Sequence, residues 1–135
     1  MPDYFQWRED DSVGVRRFDE DHQAMLEQAR RLILAYNEGE PGEVVQECMD
    51  NLIEYVVFHF EREEQQMREV DYPDYTAHLA EHNWLIRTAL KFKSDLRYRR
   101  LEGDAVADLL ADWVLRHIRQ EDRKYTVYLN ARGVR

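Results

Sequence analysis

Apolar residues recur at steps of three and four along four long stretches of this chain, and most of its few Gly and Pro residues fall between those stretches. That period places side chains on one face of a helix. The stretch over about 19–38 aligns Phe18, His22, Met25, Leu26, Ala29, Leu32 and Ile33. The stretch over about 42–69 aligns Leu52, Val56, His59, Glu63 and Met67. A third, over about 73–98, opens on Pro73, a favoured first-turn residue, and aligns Tyr75, His78, Leu79, His82, Leu85, Ile86 and Ala89. A fourth, over about 104–130, has Asp104 as a candidate N-cap after Gly103 and aligns Val106, Leu109, Leu110, Trp113 and His117. Gly39, Pro41 and Gly42 mark the first break, Pro73 the second and Gly103 the third. Short connections make sequence neighbours pack antiparallel. The pattern predicts an all-α, up-down-up-down four-helix bundle.

Within an arm at residues 1–18, residues 1–17 do not share this period, yet they carry Tyr4, Phe5, Trp7, Val13 and Val15. So many apolar side chains predict an N-terminal arm packed on the bundle, with the bundle itself spanning 19–131.

Charge narrows the function classes. The net charge is −9, which disfavours nucleic acid and anionic lipid as partners. Arg97, Arg99 and Arg100 cluster at one helix end, where cations complement the macrodipole. The sequence has no membrane-length apolar run and no signal-peptide pattern. Its one cysteine, Cys48, cannot form an intrachain disulfide. A cytoplasmic monomer is the expectation.

The chemistry lies in the five histidines, all of which fall on predicted apolar stripes. Each buried imidazole left without a partner would cost on the order of 1–3 kcal/mol. His59 and Glu63 stand four apart, as do His78 and His82, so each pair projects from one face of its helix. His22 and His117 add ligands from the other two helices. Asp122 lies five residues after His117. In a regular helix that is roughly 140° away, so in a shared site the Asp122 side chain must reach sideways or the helix must widen locally, and a π-type turn is predicted between them. Five nitrogens and two carboxylates exceed one ion's needs and suit a pair. Imidazole accommodates iron, copper, zinc or nickel, carboxylate bridges favour harder ions, and iron satisfies both best. His78-Leu79-Ala80-Glu81-His82 also matches an inverted zinc-protease signature, but that reading leaves His22, His59, Glu63 and His117 unexplained. No Glu-x-x-His occupies a core stripe, which argues against a ferritin-like bundle.

The ordered pattern of His22, His59-x-x-x-Glu63, His78-x-x-x-His82 and His117-x-x-x-x-Asp122 resembles the hemerythrin family, in particular its single-domain bacterial members. Val13-Gly14-Val15 and Asp19-Glu20-Asp21-His22 resemble those members too. The resemblance implies two iron ions, one held by His78, His82 and His117, the other by His22 and His59. Glu63 and Asp122 would bridge them beside an oxo or hydroxo group. It implies reversible O2 binding at an open position of the second iron, for storage, delivery or sensing. Phe60, Trp113, Val114 and Ile118 would line the O2 pocket. O2 itself is the expected partner, with an oxygen-using enzyme or a reductase beside it.

Two positions depart from the pattern of relatives. Val114 stands where leucine is common, and Asp21 where glutamine is common. Both bear on the lifetime of bound O2. An enzyme on the same centre, such as a di-iron oxidase, peroxidase or nitric-oxide-handling protein, would use the same seven ligands. The absence of any candidate acid or base beyond the ligands favours a binding protein over an enzyme.

Overall fold

A computed structural model describes residues 6–101 and 105–135. Helix α1 runs Arg16–Asn37, α2 Gly42–Glu69 and α3 Tyr75–Arg97. The fourth helix is composite. It begins as α4 (Ala105–Leu110), passes through π turns at Ala111–Leu115 and His117–Glu121 and a 3-10 turn at Asp122–Tyr125, and ends as α5 (Thr126–Ala131). The described residues contain no strand. α1 packs on α2 and α2 on α3, each pair joined by a short turn, and the fourth helix meets α3 where Trp113 donates to Leu85 O, giving the expected all-α bundle.

Helix boundaries follow local chemistry. α1 starts three residues before the expected position, because the Asp19 carboxylate accepts hydrogen bonds from Ser12 Oγ (2.6 Å) and the Val13 amide (2.8 Å). An acidic group there also suits the helix N-terminus. α3 starts later than expected. Pro73 is not its first helical residue but lies in the preceding turn, which Tyr75 N–H closes onto Tyr72 O at 3.1 Å. The first α3 bond then runs from His78 N–H to Asp74 O. The expected N-cap, Asp104, and the arm residues Tyr4 and Phe5 lie outside the described residues.

The arm crosses the end of the fourth helix. Arg119 grips the Asp11 carboxylate at 2.7 Å, Thr126 Oγ1 donates to Val13 O at 2.7 Å, and Asn130 Nδ2 donates to Gly14 O at 2.9 Å. Gly14 has φ +75°, and a Cβ there would stand 2.7 Å from Thr126 Cγ2. Both the backbone region and the close approach require glycine.

The apolar core falls into two clusters. The larger joins all four helices through residues such as Leu32, Met49, Leu52, Leu85 and Leu110. The smaller joins Val13, Val15, Phe18, Met67, Tyr72, Tyr125 and Leu129. Between them lies a buried polar layer. Phe18 and Tyr125 of the small cluster meet its His59 and His78 rings, while Phe60 of the large cluster meets His82 and His117. Cys48 is a free, half-buried thiol against the large core.

Candidate metal centre

All seven residues expected to bind metal converge in that layer. Each is at most 5% exposed, and His22, His59, Glu63, His82 and Asp122 are fully buried. α1 brings His22, α2 brings His59 and Glu63, α3 brings His78 and His82, and the fourth helix brings His117 and Asp122. The fourth helix solves the five-residue spacing as expected. The Asp122 amide bonds to His117 O, a wide i to i+5 turn, and this keeps both side chains inward. A second wide turn, where Arg116 N–H bonds to Ala111 O, was not expected. It carries Trp113 and Val114 into the core.

The ligand atoms form overlapping groups. Glu63, His78, His82, His117 and Asp122 make one; His22, His59, Glu63 and Asp122 make the other. Within each group one nitrogen or oxygen per residue lies within 4.8 Å of all the rest. Glu63 and Asp122 belong to both. His59 Nε2 stands 3.1 Å from Glu63 Oε2, and His82 Nε2 stands 3.1 Å from Glu63 Oε1. His22 Nε2 and His117 Nε2 each stand 3.0 Å from an Asp122 oxygen.

These short distances are not hydrogen bonds. The Nε2 atoms of His22, His59, His82 and His117 and both Asp122 oxygens are buried without a hydrogen-bond partner. Atoms aimed at one another but off hydrogen-bond geometry surround two adjoining points, one in each group. Divalent ions at those points would satisfy them all, and leaving them unmet would cost about 1–3 kcal/mol each. The donor set of imidazole and carboxylate suits iron, so the residues present fit a non-haem iron site.

Without metal, the layer holds protons. Burial opposes charge on His22, yet the Asp122 and Glu63 carboxylates beside it push its pKa up to about 9. The same balance takes His78 to about 10 and His117 to about 9. Burial would raise Glu63, but the surrounding His59, His22 and His78 imidazoles hold it well below the ordinary range.

Residues that the spacing did not single out stand behind the candidate ligands. Tyr125 is fully buried and donates to Glu63 Oε2 at 2.6 Å. Its position three residues after Asp122, on the same helical face, was the available signal. Asp21, Glu64 and Glu81 approach the outer Nδ1 atoms of His59, His82 and His117 at 2.7, 2.8 and 3.5 Å. Asp21, noted in the sequence only as a departure from the glutamine common in relatives, is buried and specifically paired with His59. Glu81, from the protease-like match, stands behind His117.

An apolar cavity of about 10 Å³ abuts His117. Phe60, Trp113 and Val114 line it, and so do Met25, Val56 and Leu85, which the spacing did not indicate. Ile118 is buried in the same core but does not line this cavity.

A buried cluster of this composition on four antiparallel helices defines a metal-binding bundle protein. The chain belongs to the hemerythrin family: the model of the hemerythrin HHE cation binding domain matches residues 13–129. The chain is similar to the bacteriohemerythrin of Methylococcus capsulatus, at 30% identity over 84% of this chain and 86% of the relative. It is 28% identical to that of Stenotrophomonas maltophilia, over 93% of this chain and 81% of the relative. A crystal structure of wild-type hemerythrin superposes with a TM-score of 0.81 at 26% identity, covering 92% of this chain and 96% of that one. No helix among the described residues is long and apolar enough to cross a membrane.

Proposed function

We propose that this chain binds O2 reversibly at a pair of iron ions. The carrying observation is the set of buried nitrogen and carboxylate atoms that converge without hydrogen-bond partners. In this reading His78, His82 and His117 hold one ion, His22 and His59 hold the other, and Glu63 and Asp122 serve both. When bound, the iron pair supplies the electrons that O2 draws on as it binds.

The chain's own residues set the conditions. Tyr125 occupies one Glu63 lone pair and so fixes the carboxylate's orientation. Phe60 stacks on the His82 ring at 3.7 Å and 4°, which locks that imidazole. The small cavity is at the lower limit for one water, which needs about 10–15 Å³ and two or more polar partners. Only His117 among its lining residues is polar. Such a cavity stays dry. Water exclusion keeps the bound state reversible, because solvent would carry off the reduced oxygen. Trp113 completes the enclosure. Its indole donates to Leu85 O at 2.9 Å and separates the inner cavity from a surface cleft lined by Trp84, Thr88, Leu109 and Asp112. Storage, delivery and sensing would all rest on this one binding step.

The test is the visible spectrum of iron-loaded protein, reduced without oxygen, then exposed to air, then degassed. Charge-transfer bands that appear in air and fade on degassing support reversible binding. Bands that appear and persist would move a di-iron oxidase, peroxidase or redox-sensing role ahead of it. His59→Ala and His117→Ala should each lower the iron content below a full pair. Full occupancy in either variant would remove that histidine from the ligand set.

A further inference from the structure

Asp21 and His22 are adjacent on α1, and one residue rotates a helix by roughly 100°. His22 therefore faces the metal layer while Asp21 faces α2. There the Asp21 Oδ2 atom accepts a hydrogen bond from His59 Nδ1–H at 2.7 Å. Tyr55 donates to the other carboxylate oxygen at 3.2 Å, and the Arg62 guanidinium lies 3.7 Å from it. The carboxylate is thus held from α2 by three residues, although it belongs to α1.

We propose that Asp21 is a positioning residue for the metal centre, orienting the His59 imidazole and strengthening it as a donor to the ion on the His22 side. This rests on the reading of the site as an iron centre.

The geometry carries the assignment in three ways. First, a fixed acceptor at Nδ1 leaves the lone pair on Nε2, the atom that faces Glu63 and His22. Second, an anion behind an imidazole makes it a better donor and stabilises the higher oxidation state of the ion it serves. Third, Asp21 differs from the other outer carboxylates in its surroundings. The Asp21 side chain is 4% exposed, whereas Glu64 behind His82 is 16% exposed and Glu81 behind His117 is 29% exposed. Solvent screens the latter two, while a buried charge acts at low dielectric. The effect should therefore be largest on the His22–His59 side. A dipeptide on one helix supplies a ligand and braces a second ligand on the next helix.

The experiment compares Asp21→Asn, Asp21→Ala and Glu64→Gln in the full chain, with circular dichroism to confirm folding. Cobalt(II) titration against a competing chelator reads ion number and affinity independently of oxygen. Redox titration of the iron-loaded protein reads the midpoint potential. Asp21→Asn keeps an acceptor but removes the charge, so it should retain both ions and show a higher midpoint potential. Asp21→Ala removes both and should weaken the more labile cobalt ion about 10–100-fold. Glu64→Gln should shift the potential less than Asp21→Asn. If Asp21→Ala does not fold, the isosteric Asn variant carries the test by its potential, with Glu64→Gln as the control. Wild-type affinity and potential in Asp21→Asn would overturn the proposal, as would a wild-type chain that binds no metal. A wild-type chain that binds both ions but not O2 would sink the O2 reading alone and leave the Asp21 effect measurable.

Discussion

Helices α2 and α3 present their metal-facing pairs, His59 with Glu63 and His78 with His82, from unbroken helix. The fourth helix presents His117 and Asp122 from a run of wide and tight turns. The difference is one residue of spacing. Side chains four apart share a helical face with no distortion, whereas side chains five apart share it only if the turn widens. The wide turn persists because burial of His117, Asp122, Tyr125 and Leu129 on one side outweighs the poorer backbone bonding. Helix regularity here records how the ligands are spaced.

Changing the residue count in each helix is the sharpest way to break that comparison. Insertion of one Ala between Arg62 and Glu63 should turn Glu63 and Met67 out of the core. The cost is about 3 kcal/mol or more from lost packing alone, with loss of bound iron. Deletion of the exposed Gln120 should be far milder, about 1–2 kcal/mol, because the wide turn can relax to a regular one without rotating Tyr125 and Leu129 away. Urea midpoints and iron content read both variants. Equal damage from the two changes would mean that the wide turn is not a local insertion.

The metal-free protein tests what holds the layer together. His22, His78 and His117 have folded pKa values near 9 to 10, raised from 6.5. A raised folded value adds stability that is complete below the unfolded pKa and lost as pH climbs through the folded one. Iron-free protein should therefore lose stability steadily from about pH 6.5 to pH 10, read as a falling urea midpoint. Iron-loaded protein should lack this alkaline limb, since the ions replace the protons. A flat midpoint in the iron-free form would show that the imidazoles are not charged there.

Smaller effects separate the cavity wall from the ligand shell. Trp113→Phe removes the bond to Leu85 O and thins the barrier to the outer cleft. Loss of the O2-bound spectrum should accelerate by roughly tenfold through water access, with iron content unchanged. Tyr125→Phe removes the donor to Glu63 and should cost about 1 kcal/mol of stability, read by thermal melting. A loss of iron in Tyr125→Phe would promote the phenol from support to an essential part of the site.

Much of the centre was legible in the chain because helical periodicity is a property of one segment at a time. His59-x-x-x-Glu63 and His78-x-x-x-His82 declare a shared face wherever their helices lie. The five-residue step to Asp122 left a sideways reach or a wide turn, and the wide turn is what brings both groups inward. The wide turn at Ala111–Leu115 carries no such pair and left no mark in the pattern. Nor did the start of α3, where Pro73 suited a first turn by itself but the Tyr72–Tyr75 turn took it.

The sequence by itself determined the four amphipathic helices, their order, and the seven side chains able to meet in the bundle's interior. The tertiary structure decided what lies one helix away: Asp21 behind His59, Tyr125 on Glu63, the arm across Thr126 and Asn130, and Met25, Val56 and Leu85 around the cavity. Those contacts depend on the rotation and axial register of neighbouring helices. That register is set by packing over the whole core, which no single segment's period contains.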